Sequence, residues 1–143
     1  MDLWIFYVRF NLLIDKAGGN MEDYLRSMTM KDIGASLISA DQFVALFNGG
    51  ETVLLDIRYP FETRLWGMSF AVAIPLNELP DRLAELPRDK TIVCACPLDI
   101  RSNIACQFLL QQGFAAKILV GGLLALADRL RGGAANDLKL DRP

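Results

Sequence analysis

A cysteine and an arginine five positions apart, Cys96 and Arg101, carry the clearest chemistry in this sequence. They bracket Pro97, Leu98, Asp99 and Ile100 in the stretch TIVCACPLDIRSNIACQFLL. The sulfur nucleophile is the thiolate, and a free cysteine titrates near about 8.5, so something must favour the anion at neutral pH. The chain has no histidine, which removes Ser-His-Asp triads, Cys-His dyads and His-ligated metals. The remaining devices are backbone N–H groups, a helix N-terminus and a fixed cation. A loop curled round Cys96 and running into a helix at Arg101–Ser102 would offer all three. An arginine at a helix N-terminus opposes the dipole, so its placement asks for a reason beyond helix stability. Such a site needs no general base when the incoming group is already an anion. It suits uptake of a sulfane sulfur or attack on a phosphate ester.

The other two cysteines read as core. Cys94 lies two residues back on an apolar run, and Cys106 falls among Ile104, Ala105, Phe108 and Leu109. A C-x-C pair with a distant third thiol matches no standard zinc spacing, and no metal or cofactor is expected. An odd number of cysteines, three in all, argues against a disulfide scaffold and for free thiols in a reducing, cytoplasmic setting. With 143 residues, 52% hydrophobic and 22% charged, the chain has material for one full core. With a net charge of -2, nothing points to a nucleic-acid binder, which would normally show a basic patch. No Walker loop, dinucleotide fingerprint or EF-hand is present.

The elements that must position the thiol follow from the pattern. Leu37–Ile38 is a short strand. A helix opens at Ser39 or Ala40, with Phe43, Val44, Leu46 and Phe47 on its apolar face, and stops at Asn48-Gly49-Gly50. Thr52–Ile57 is a strand, Pro60 opens a short helix to Leu65, and Phe70–Pro75 is a further strand. Asn77 is expected to cap a helix to Leu86, ended by Pro87. Thr91–Ala95 is a strand, Ser102–Gln112 a helix closed by Gly113, Ala115–Val120 a strand, and Leu123–Leu130 a helix after Gly121-Gly122. Strands apolar on both faces that alternate with helices give an α/β fold: a mostly parallel sheet of about five strands, helices on both faces. Sites in such sheets lie at the carboxyl ends of strands, where Cys96 and Asp56 fall.

Four segments, in this order, make the chain similar to the rhodanese-like sulfurtransferase family. LLDIRYPFE (Leu54–Glu62) resembles that family's D-[VI]-R-x-x-x-E segment. AIPLNEL (Ala73–Leu79), CPLDIRS (Cys96–Ser102) and LVGGLLAL (Leu119–Leu126) follow at suitable spacing. The resemblance implies a single-domain sulfurtransferase of the thiosulfate type, with Cys96 carrying sulfur as a persulfide and Arg101 orienting the substrate. Pro97, Leu98, Asp99, Ile100 and Ser102 would form the substrate-binding loop, with Asp56 and Arg58 as structural support. The implied partners are a small sulfur-containing anion or protein persulfide as donor, and cyanide or a thiol as acceptor. Related phosphatases have one more residue between cysteine and arginine, so four intervening residues favour sulfur over phosphate.

The loop also departs from that pattern. It lacks the cation that often follows the cysteine and the glycine at its middle. Pro97 removes a backbone donor, and Asp99 opposes an anionic donor. Gly67-Met68-Ser69-Phe70-Ala71 stands where the family has H-I-P-G-A. The change at 67–71 bears on packing, whereas Asp99 and the missing loop cation favour a rival reading, a catalytically silent module that binds a partner; the retained Cys96 and Arg101 favour the enzyme. The loop departures also suggest slow thiosulfate turnover. By organisation, residues 1–36 read as an apolar then linker-like extension, 37–133 as the domain and 134–143 as a tail. The apolar run 3–14 (LWIFYVRFNLLI) is too short for a span of about 20 apolar residues and lacks signal-peptide features. Self-association or docking, a poorly ordered extension, and membrane association stay open for it.

Overall fold

The computed structural model describes residues 21–140; the run 3–14 lies outside them. The chain order is α1 (Met21–Ser27), α2 (Met30–Ala35), β1 (Leu37–Ile38), α3 (Ala40–Asn48), β2 (Thr52–Asp56), α4 (Pro60–Thr63), β3 (Val72–Ala73), β4 (Thr91–Ala95), α5 (Ile100–Gln111), β5 (Ala116–Leu119) and α6 (Gly122–Leu130). The five strands are all parallel, in the order β1-β5-β4-β2-β3. The fold is thus the α/β arrangement that the strand and helix alternation predicts, with β4 at its centre.

Period-two alternation splits the core in two. Ile92, Cys94 and Cys96 point to the face covered by α5, through Ala105, Cys106, Leu109 and Leu110. Val93 and Ala95 point to the other face, with Leu54, Phe43, Val44, Leu123 and Leu126 from β2, α3 and α6. Every residue of β4 is buried, which explains its continuous apolar run. Helix α3 begins where a capping box forms: the Gln42 N–H donates to Ser39 Oγ at 3.2 Å, and the Ser39 N–H donates to Gln42 Oε1 at 3.0 Å.

Several elements differ from the sequence expectations. Residues 21–35 hold two short helices in place of a linker. The Tyr24 hydroxyl donates to Gln107 Oε1 on α5, and Lys117 Nζ donates to the Ala35 carbonyl. The helix expected over 77–86 is two 3₁₀ turns, Leu79–Asp81 and Leu83–Glu85. Pro80 has no N–H and disfavours helical dihedrals at Leu79. Arg82 then breaks the run at φ -119°, with its guanidinium shared between Glu78 and Glu85 at 2.8 and 2.6 Å. The strand expected over 70–75 shrinks to an edge of two residues. Phe70 instead puts its ring near Phe43 and Phe47, at centroid distances of 6.5 and 5.2 Å. After α6 a 3₁₀ turn, Gly132–Asp137, folds back onto α3. There Asn48 Nδ2 donates to the Asp137 carbonyl at 2.7 Å, and Asn48 Oδ1 accepts from the Lys139 N–H at 2.7 Å. No helix among the described residues is long and apolar enough to cross a membrane.

Candidate active site

Cys96 is the first residue past β4, at the carboxyl edge of the sheet, and only 2% of it is exposed. The chain bends through Pro97–Asp99 and enters α5 at Ile100, two residues earlier than the sequence suggested. Arg101 therefore sits in the first turn of α5 rather than ahead of it. Leu98, Asp99 and Ile100 are exposed, and Pro97 is half-buried. Ser102, expected with the loop residues that meet substrate, is fully buried and faces the sulfur. The Cys96 thiol donates to Ser102 Oγ at 3.6 Å, and the Ser102 hydroxyl donates to the Asp99 carbonyl at 2.8 Å.

The bend is clamped from the neighbouring helix. The Cys96 carbonyl accepts from the Leu123 N–H at 2.8 Å, and the Pro97 carbonyl accepts from the Leu124 N–H at 3.2 Å. Those amides belong to the first turn of α6, where N–H groups lack intrahelical partners. Gly122 makes this approach sterically feasible. A Cβ there would lie 1.9 Å from the Leu98 carbonyl oxygen and 2.4 Å from that of Cys96, and its φ is +63°. The turn seen in the sequence at Gly121-Gly122 is thus the floor on which the loop rests.

Arg101 does not stand alone at the rim. Its two terminal nitrogens donate to Glu62 Oε2 and Oε1, both at 2.7 Å, in a bidentate pair. Glu62 lies on α4, where it also accepts the Tyr59 N–H at 3.0 Å. The hydrogen bonds from Arg101 hold the Glu62 carboxyl down at about 2, so it is ionised throughout the neutral range. In return Glu62 raises the Arg101 pKa, with Cys96 and Tyr59 adding smaller contributions. The sequence reading left Glu62 without a role at the site. Its place four residues after Arg58, in the quoted LLDIRYPFE segment, was the available signal.

Asp56 and Arg58 are 2% and 1% exposed and form a closed unit. Arg58 donates through Nη2 to Asp56 Oδ2 at 2.7 Å and through Nε to Oδ1 at 3.0 Å. The same Nη2 donates to the Trp66 carbonyl at 2.9 Å, and Cζ stands 4.3 Å over the Trp66 ring. This pair ties the end of β2 to the segment after α4, the helix that carries Glu62. Cys94 and Cys106 are fully buried. Hydrogen bonding with Cys106 and burial push the Cys94 thiol up, so Cys94 stays protonated.

The model of the Rhodanese-like domain family matches residues 39–128. The chain belongs to that family. A sulfurtransferase of Allochromatium vinosum is 36% identical over 78 residues, 54% of this chain and 73% of that protein. YtwF of Bacillus subtilis is 32% identical over 75 residues, 52% of this chain and 73% of that one. Among solved structures, a rhodanese-related protein of Thermoplasma volcanium superimposes with a TM-score of 0.59 at 28% identity. That match covers 65% of this chain and 91% of the other. A human single-domain sulfurtransferase has the same fold, with a TM-score of 0.59 at 20% identity, covering 66% of this chain and 96% of that chain. The rhodanese-like assignment and these relatives support a sulfurtransferase-type function for the single domain.

Proposed function

We propose that the protein moves a sulfane sulfur through a persulfide on Cys96. The thiolate attacks the outer sulfur of the donor and a new S–S bond forms at Sγ. The donor's own bond to that sulfur breaks, and the remainder leaves with the electron pair, as sulfite from thiosulfate or as a thiolate from a persulfide. An acceptor nucleophile, cyanide or a thiol, then takes the outer sulfur and restores the Cys96 thiolate. Arg101 orients the incoming group at the rim. Main-chain amides of the bent loop and the N-terminus of α5 stabilise the sulfur anion. Ser102 holds Sγ in place, and the Asp56–Arg58 unit supports the α4 segment from below. No cofactor takes part.

The observation that carries this reading is the loop between Cys96 and Arg101. It leaves the end of β4 bent, pinned to α6 and capped by a helix, with the thiol at its base. The near-complete burial of Cys96 favours a second reading, a rhodanese-fold module that binds a partner without turnover. Intact mass after incubation with thiosulfate or polysulfide separates the two. Addition of one sulfur atom to the wild type, absent in Cys96→Ser, is the expected outcome; no adduct from any donor selects the binding module.

A further inference from the structure

We infer that Glu62 and Asp99 are specificity-determining residues that turn the site against free oxyanion donors and towards sulfane sulfur carried on an organic thiol. The inference rests on the persulfide reading above and deepens it. It starts from the charges at the mouth. Arg101 is the cation of the loop, and both of its terminal nitrogens are already taken by the Glu62 carboxylate at 2.7 Å. Arg58, whose charge also acts on Glu62, is 1% exposed and closed off by Asp56. Asp99, exposed on the loop itself, adds a negative charge with no side-chain cap bond to α5. Arg101, Glu62 and Asp99 together leave the rim one charge negative. A doubly charged thiosulfate must therefore displace Glu62 from a bidentate clamp and approach past Asp99.

The uncharged part of the rim points the same way. Leu98 and Ile100 flank Asp99 and are 58% and 76% exposed. Tyr59 and Phe61, on either side of α4's first residue, stack at 6.0 Å and present a second apolar patch beside Glu62. Such a surface meets an organic body rather than a hydrated oxyanion. The transfer from that donor balances without a co-reactant: the Cys96 thiolate takes the outer sulfur of R–S–SH, the S–S bond of the donor breaks, and R–S⁻ leaves. Repelling one substrate is as effective a route to specificity as attracting another.

The test compares two donors, thiosulfate and benzyl hydropersulfide, by the rate at which intact mass shows sulfur added to Cys96. The wild type is expected to load from the hydropersulfide about tenfold faster, and added salt should speed the thiosulfate reaction by screening like charges. Asp99→Asn, a change at an exposed position, and Glu62→Gln should each narrow the ratio by raising the thiosulfate rate several-fold. A purely structural role would lower both rates together and leave the ratio unmoved. Equal loading from both donors in the wild type overturns this inference while leaving sulfur transfer standing, as does a ratio that neither variant changes. Failure of both donors to load Cys96 overturns the sulfur-transfer reading along with it.

Discussion

At the scale of single residues, Arg101 shows how one contact changes the meaning of a side chain. From sequence its position looked costly, because an arginine in the first turn of a helix faces the positive end of the dipole. Glu62 removes the objection with a bidentate pair that is stronger than an ordinary exposed ion pair. The sign of the pH dependence follows. The Glu62 carboxyl is lowered from 4.5 to about 2 by Arg101. Its contribution to stability is therefore fully present above the unfolded value and is lost as pH falls through the folded one. Denaturant titrations of wild type and Glu62→Gln from pH 6 downward should show a wild-type advantage that shrinks between about pH 5 and pH 2. An offset that does not vary with pH would refute the assignment. The pairing of Cys96 with Arg101 was legible because both residue types and their spacing at a strand end stand in one short segment. Glu62 was not, because carboxylates on short surface helices are common and the contact spans 39 residues of sequence.

At the scale of elements, the sequence displayed whatever depends on local pattern and concealed whatever depends on neighbours. The buried strands β2, β4 and β5 and the capped helix α3 were readable from apolar runs and capping residues. The edge strand β3 was overextended because Phe70 looks like a strand residue but is drawn to the aromatic pair on α3. The segment 77–86 has helical apolar spacing, yet Pro80 and the non-helical backbone of Arg82 at φ -119° divide it into tight turns. The junction of the loop with α6 illustrates the same point: a Gly-Gly pair is visible in any sequence, but not the carbonyls that press on it. Gly122→Ala should displace the loop, since no flexible side chain can yield to the new methyl. The expected cost is on the order of 3 kcal/mol with loss of sulfur loading at Cys96. Urea unfolding and intact mass of the same sample check both; a variant of native stability that still takes up sulfur would contradict the proposed contact.

At the scale of the whole molecule, the half-core on the α3 side is closed by a part that lies outside the region matched by the family model. The 3₁₀ turn after α6 brings Leu138 into the cluster on the α3 side, where it is 8% exposed. Asn48 fastens the backbone on each side of it. Residues 134–140 thus do more than trail from the domain. Leu138→Ala should destabilise the fold by about 2 kcal/mol, read as a lower urea midpoint with an unchanged slope. A midpoint equal to wild type would mean that the turn merely rests on the surface. At the other end, α1 braces α5 through Tyr24 and Gln107, so the helix that carries Arg101 is backed by α1 as well as by the sheet.

The loop that holds Cys96 owes its curvature to a stretch some 25 residues downstream. Leu123 and Leu124 supply the amides, and Gly122 supplies the clearance. Anyone grafting Cys96–Arg101 onto another parallel sheet would have to transplant the glycine pair and the start of its helix as well. Without them the six residues would arrive as a sequence and not as a shape.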